Sequence, residues 1–87
     1  MAYCRFGEDS DVYTLHTGVW VTYVSKTVSE DTIQKLGGSY FQDRTPLKCL
    51  QRLLDMREKG LLVPGHAITR LTKEAAQLAR NEFISPR

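Results

Sequence analysis

The chain reads as a small α+β domain: an antiparallel sheet made of a hairpin plus a short third strand, with two to three helices packed on one face. Three observations predict this. Residues on either side of Gly18 alternate with a period of two, as a hairpin requires. A leucine-rich stretch at helical spacing lies between Thr45-Pro46 and Gly60, which are start and stop signals for a helix. A second helical pattern fills the C-terminal quarter. The order of strands before helices places the helices on one side of the sheet.

The first strand runs from Asp11 to His16, where Val12, Tyr13, Thr14 and Leu15 are β-formers. The second runs from Val19 to Ser25. Val19, Val21 and Tyr23 share one of its faces, and Trp20, Thr22 and Val24 share the other. Both faces carry apolar groups, so one is expected under the helices and the other partly open. Thr27 and Glu30 match a capping box, with Ser29 a rival cap, and Gly37-Gly38 stops the turn. A short helix over 29–36 follows from these signals, and then a short strand over Ser39–Gln42.

Thr45 is a good N-cap. Pro46 suits the first helical position, where its missing amide would be unpaired in any case. Leu47, Leu50, Leu53 and Leu54 form an apolar stripe with Cys49 and Met56 at its edges. Gly60, with Leu61 folded back, ends a helix over 46–59. After Pro64-Gly65, residues 66–70 read as one helical turn. Thr72 then caps a last helix, 73–83, with Ala75, Leu78, Ala79 and Phe83 as its stripe. The tail Ile84–Arg87 is expected to fray.

The chain has 87 residues, which fits a single domain over 1–87. A domain of this size buries roughly 60–65% of the surface its unfolded chain exposes, so each large apolar residue counts. No run approaches the roughly 20 apolar residues of a membrane helix. The segment from Met1 to Asp11 lacks the apolar core of a signal peptide. A cytoplasmic protein with no membrane partner is the expectation. Residues 1–43 hold three basic against six acidic residues, giving −3. Residues 44–87 hold nine against four, giving +5. Such a split can orient a partner.

The opening Tyr3-Cys4-Arg5-Phe6, followed by an acidic stretch and Asp11-Val12-Tyr13, resembles the start of a group of small bacteriophage and prophage proteins. Leu53 to Leu71 is similar to them as well: a helix ends at Gly60, Val63-Pro64 follows, and a short helix begins around Ile68–Leu71. The resemblance covers about half the chain and leaves Thr17–Asp43 unmatched. It implies a phage or prophage origin in a bacterial host cell, and with it an accessory protein that binds a host or phage macromolecule. It implies no enzymatic activity. Many members carry further cysteines after the second strand, and this chain has none there, which argues against a shared metal site.

Chemistry is sparse along the chain. Cys4 and Cys49 are expected as free thiols in a reducing compartment, with a single disulfide as the alternative. Cys4, His16, Cys49 and His66 lack the close pairing of structural zinc ligands. Either histidine could serve a cysteine as base, but no local signature supports such a pair, and Gly37-Gly38 lacks the lysine of a phosphate loop. Glu8, Asp9 and Asp11 read as a solvated acidic loop. No enzyme, cofactor or metal is expected.

Two binding surfaces remain. Tyr13, Tyr23, Tyr40 and Trp20 on the sheet are residue types favoured at protein interfaces. If Trp20 faces the core, Val19, Val21 and Tyr23 form an outward stripe suited to a protein partner or to a second subunit in a homodimer. The alternative is nucleic acid, bound by Arg44, Lys48 and Arg52, which are spaced by four along one helix and able to meet phosphates together.

Overall fold

The structure, a computed structural model, describes residues 2–7, 9–25 and 38–84, the last four in backbone only. Four strands form one antiparallel sheet in the order β1-β2-β3-β4: β1 Ala2–Cys4, β2 Val12–His16, β3 Trp20–Val24 and β4 Tyr40–Asp43. Two helices follow, α1 Pro46–Glu58 and α2 Gly65–Ile84. The α+β class, the hairpin and the short strand before α1 stand as expected. The helix predicted over 29–36 lies outside the described residues.

The sheet has one strand more than the sequence pattern suggested. β1 is three residues long and irregular: Ala2 pairs with Leu15 and Cys4 with Thr14, so Tyr3 is the extra residue of a bulge. The bulge breaks the alternation that would have marked a strand, and both Tyr3 and Cys4 are buried.

One face of the sheet carries the core. Val12 pairs with Val24, Thr14 with Thr22, and His16 with Trp20. Val12, Thr14, Thr22 and Val24 are almost wholly buried beneath the helices. The two threonine hydroxyls bond each other at 3.2 Å, and Thr22 also reaches the Cys49 thiol at 3.9 Å. This pair satisfies polar groups that would be costly to bury alone.

α1 begins as the sequence requires. The Thr45 hydroxyl accepts the Lys48 amide at 3.1 Å, and Pro46 follows. It ends in a Schellman motif: the Leu61 amide donates to Met56 O, the Gly60 amide donates to Arg57 O, and Gly60 sits at φ 106°. Its buried stripe is Pro46, Cys49, Leu50, Leu53 and Met56. Leu47 and Leu54, expected within that stripe, are instead 50% and 38% exposed. They stand seven residues apart on the outer flank of the helix, where Leu47 borders Ala75, Leu78 and Ala79 of α2 without being covered by them.

The C-terminal part departs most from expectation. In place of a turn over 66–70 and a helix over 73–83, α2 is one helix of 20 residues. Nothing between Gly65 and Ile84 interrupts it, since no proline or glycine falls inside. Thr72 is no cap; its hydroxyl donates back along the helix to the Ile68 carbonyl at 2.7 Å, as a threonine inside a helix can. Ala67 and Leu71 are buried, but Leu78 is 40% exposed and Ala79 is exposed, so the expected stripe is only half used.

Candidate binding interface

The face of the sheet away from the helices carries a row of aromatic rings. The register places Tyr13 opposite Tyr23 and Tyr23 opposite Tyr40. Phe6, just beyond β1, extends the row. Ring centroids are 5.7 Å apart for Phe6–Tyr13, 6.3 Å for Tyr13–Tyr23 and 5.7 Å for Tyr23–Tyr40. The first two contacts are edge-on, and the third is stacked at 30°. Cross-strand aromatic pairs of this kind stiffen a sheet while leaving ring area available. Phe6, Tyr23 and Tyr40 are 48%, 44% and 58% exposed. An open cleft of about 310 Å³, lined by Phe6, Tyr23, Val24, Ser25, Gly38 and Ser39, lies at one end of the row.

The predicted outward stripe needs correction here. Trp20 does face the core side, packed against the buried cluster, and its indole stacks on His16 at 4.0 Å. Of the three stripe residues, Tyr23 is exposed, Val19 is half-buried and Val21 is buried. Val19 lies in the hairpin turn outside β3. Val21 points outward but is 7% exposed, because β3 is an inner strand and Val21 sits between Leu15 and Gln42. The exposed row instead runs across the strands. Tyr13, Tyr23 and Tyr40 were visible as candidates in the sequence; Phe6 was not, because nothing there marks β1.

The basic helix is also rearranged. Arg44 and Lys48 are exposed. Arg52 is committed elsewhere: its Nε and Nη2 donate to the two carboxylate oxygens of Asp43, both at 2.9 Å. Its guanidinium also lies 4.4 Å from the Phe41 ring centre. The bonds to Asp43 raise the Arg52 pKa further, and the carboxylate offsets the guanidinium's charge. The three residues therefore do not present a shared phosphate clamp.

The remaining candidates have structural roles. The Asp11 carboxylate accepts the Leu62 amide at 2.8 Å, and its own amide donates to Leu62 O at 2.8 Å. The acidic stretch thus pins the sheet to the α1–α2 loop. Cys4 and Cys49 are free and buried. Burial pushes the Cys49 thiol up to about 11, so it is a poor nucleophile at neutral pH. Cys4, His16, Cys49 and His66 are not gathered: among the described residues no three His, Cys, Asp or Glu side chains group as metal ligands. No helix of the described residues is long and apolar enough to cross a membrane.

No protein-family model matches the chain, no curated protein resembles it significantly, and no solved structure matches it significantly.

Proposed function

We propose that this protein is a protein-binding module that docks through the face of its sheet opposite the two helices, which the described residues leave open. The observation that carries this reading is the aromatic row of exposed Phe6, Tyr23 and Tyr40 with half-buried Tyr13 among them. Tyrosine and phenylalanine supply large contact area on few rotatable bonds, and the tyrosine hydroxyls give polar tips. A row held by a four-stranded sheet is ordered before the partner arrives, which lowers the entropic cost of association. The resemblance to phage and prophage proteins adds the setting: an accessory protein in the bacterial cytoplasm whose binding blocks a host factor. The nucleic-acid reading is weaker, because Arg52 is paired with Asp43 and leaves only Arg44 and Lys48 of the three.

The test is an affinity capture from bacterial lysate, with and without nuclease, using the wild type and a Tyr23→Lys/Tyr40→Lys variant shown by circular dichroism to be folded. One stoichiometric protein that survives nuclease and is lost with the variant is the expected result. Equal capture by the variant would remove the sheet face from consideration. Loss of all captured material on nuclease treatment would put nucleic acid at Arg44 and Lys48 first.

A further inference from the structure

The outward side of α1 has its own pattern. At 100° per residue, Leu47, Gln51, Leu54 and Glu58 fall on one stripe, flanked on one side by Lys48 and Asp55. All six are exposed, the two leucines at 50% and 38%. The stripe is nearly symmetric about Gln51. Leu47 stands four residues before it and Leu54 three after; Lys48 stands three before and Asp55 four after; Arg44 stands seven before and Glu58 seven after. The charges reverse sign across that point, basic in the N-terminal half and acidic in the C-terminal half.

A helix with this pattern complements itself when turned end for end. We infer that two copies of this chain associate through antiparallel α1 helices about a two-fold axis at Gln51. Leu47 of each copy packs beside Leu54 of the other, while Arg44 and Lys48 face the other copy's Glu58 and Asp55. The surface has room for both leucines. An open cleft of about 540 Å³, lined by Gln51, Leu54, Asp55, Arg57 and Glu58, receives the other copy's Leu47. A smaller one of about 140 Å³, lined by Thr45, Pro46, Leu47, Ala75, Leu78 and Ala79, lies where the other copy's Leu54 arrives. Lys59 holds Asp55 at 3.0 Å within its own chain, and this exposed pair opens at little cost to admit a second cation. Antiparallel helix dipoles add to the attraction.

Such an isologous contact is closed and stops at two. A single helix pair covers less than the roughly 800 Å² per partner of a stable interface, so the dimer is concentration-dependent. The surface is separate from the aromatic row, and its test is independent of that reading.

The experiment is sedimentation velocity on the intact chain over a concentration series. The wild type is expected to move from 9.9 kDa toward twice that mass. Arg44→Glu/Lys48→Glu and Asp55→Lys/Glu58→Lys each set like charges against each other and should remain monomeric. Mixed in equal amounts, the two variants restore opposite charges at both ends, and a dimer of their combined mass should reappear. Recovery in the mixture also shows that both variants are folded. Three outcomes would each overturn the proposal: a wild type monomeric up to about 1 mM, near the limit of meaningful affinity; a dimer indifferent to both variants; or no recovery on mixing.

Discussion

The Tyr3 side chain joins three other residues of the fold. Its hydroxyl donates to Glu74 Oε1 and accepts the Trp20 indole N–H at 3.0 Å, while Arg70 lies 4.8 Å from its ring centre. One residue of a bulge thus joins β1 to β3 and to α2. Burial disfavours the phenolate, the bond to Glu74 favours the neutral form, and the pKa rises from 10.0 to about 12. The folded state therefore holds the proton more tightly than the unfolded chain. The stabilisation this provides is complete below pH 10 and is lost as pH rises toward 12. Tyr3→Phe removes the acceptor for Trp20 and should cost about 1–2 kcal/mol at neutral pH. The stability difference between wild type and variant, measured by urea unfolding, should shrink between pH 10 and 12. A difference that stays constant across that range would mean the hydroxyl gains nothing from its place in the fold.

Among the elements, α1 is anchored twice: by its apolar stripe and by one ion pair. Asp43 ends β4 at 5% exposure, and its two bonds from Arg52 tie the strand to the second turn of the helix. Arg52→Ala leaves a buried carboxylate without its cation, a change expected to cost about 2 kcal/mol. Adding Asp43→Asn to that variant should recover part of the loss, because an amide is cheaper to bury than an unpaired charge. Urea midpoints that fall at constant m would report this, and a double variant as destabilised as the sum of the singles would show that the pair does not act as a unit. The same elements show what the sequence could reveal. α1 was legible at both ends because Thr45, Pro46 and Gly60 act locally, through caps that need no tertiary partner. The hairpin was legible because alternation survives in β2 and β3. β1 was not, since its bulge destroys the period at Tyr3. Continuity through Thr72 was missed because a threonine hydroxyl can cap a helix or bond back along it, and only the surroundings decide which. The binding face was half legible for a related reason: strand parity gave the side of Val21 and Tyr23, but burial depends on cross-strand neighbours. Both residues sit between two neighbouring strands, but the short Val21 is closed over between Leu15 and Gln42, whereas the larger Tyr23, between Tyr13 and Tyr40, stays exposed.

At the scale of the molecule, the described residues extend over 49 × 21 × 21 Å. The longest element is α2. A helix of 20 residues is about 30 Å long, longer than the body is wide. Its first half lies on the core through Ala67 and Leu71, and Glu74 holds Tyr3 near its middle. From Ala76 to Arg80 every side chain is exposed. This part of the helix has no buried stripe, and a helix without one is marginal in water because tertiary packing supplies most helical stability. The aromatic row lies elsewhere, and the proposed α1 pairing meets this segment only at Leu78 and Ala79 and only in the dimer, so in the monomer neither contact shelters it. Backbone amides at Leu78, Ala79 and Arg80 should therefore exchange with solvent through local opening, while that of Leu71 exchanges only when the whole domain opens. In native-state hydrogen exchange the two groups should differ by at least about 100-fold in protection, since even a marginal domain holds its core by roughly 5 kcal/mol. Truncation after Arg80 should shift the unfolding midpoint little. Equal protection at Leu71 and Leu78 would mean that a surface covers the second half of α2 in solution, and the groove formed by Trp20, Pro46, Glu74, Gln77 and Leu78 would be where that cover rests.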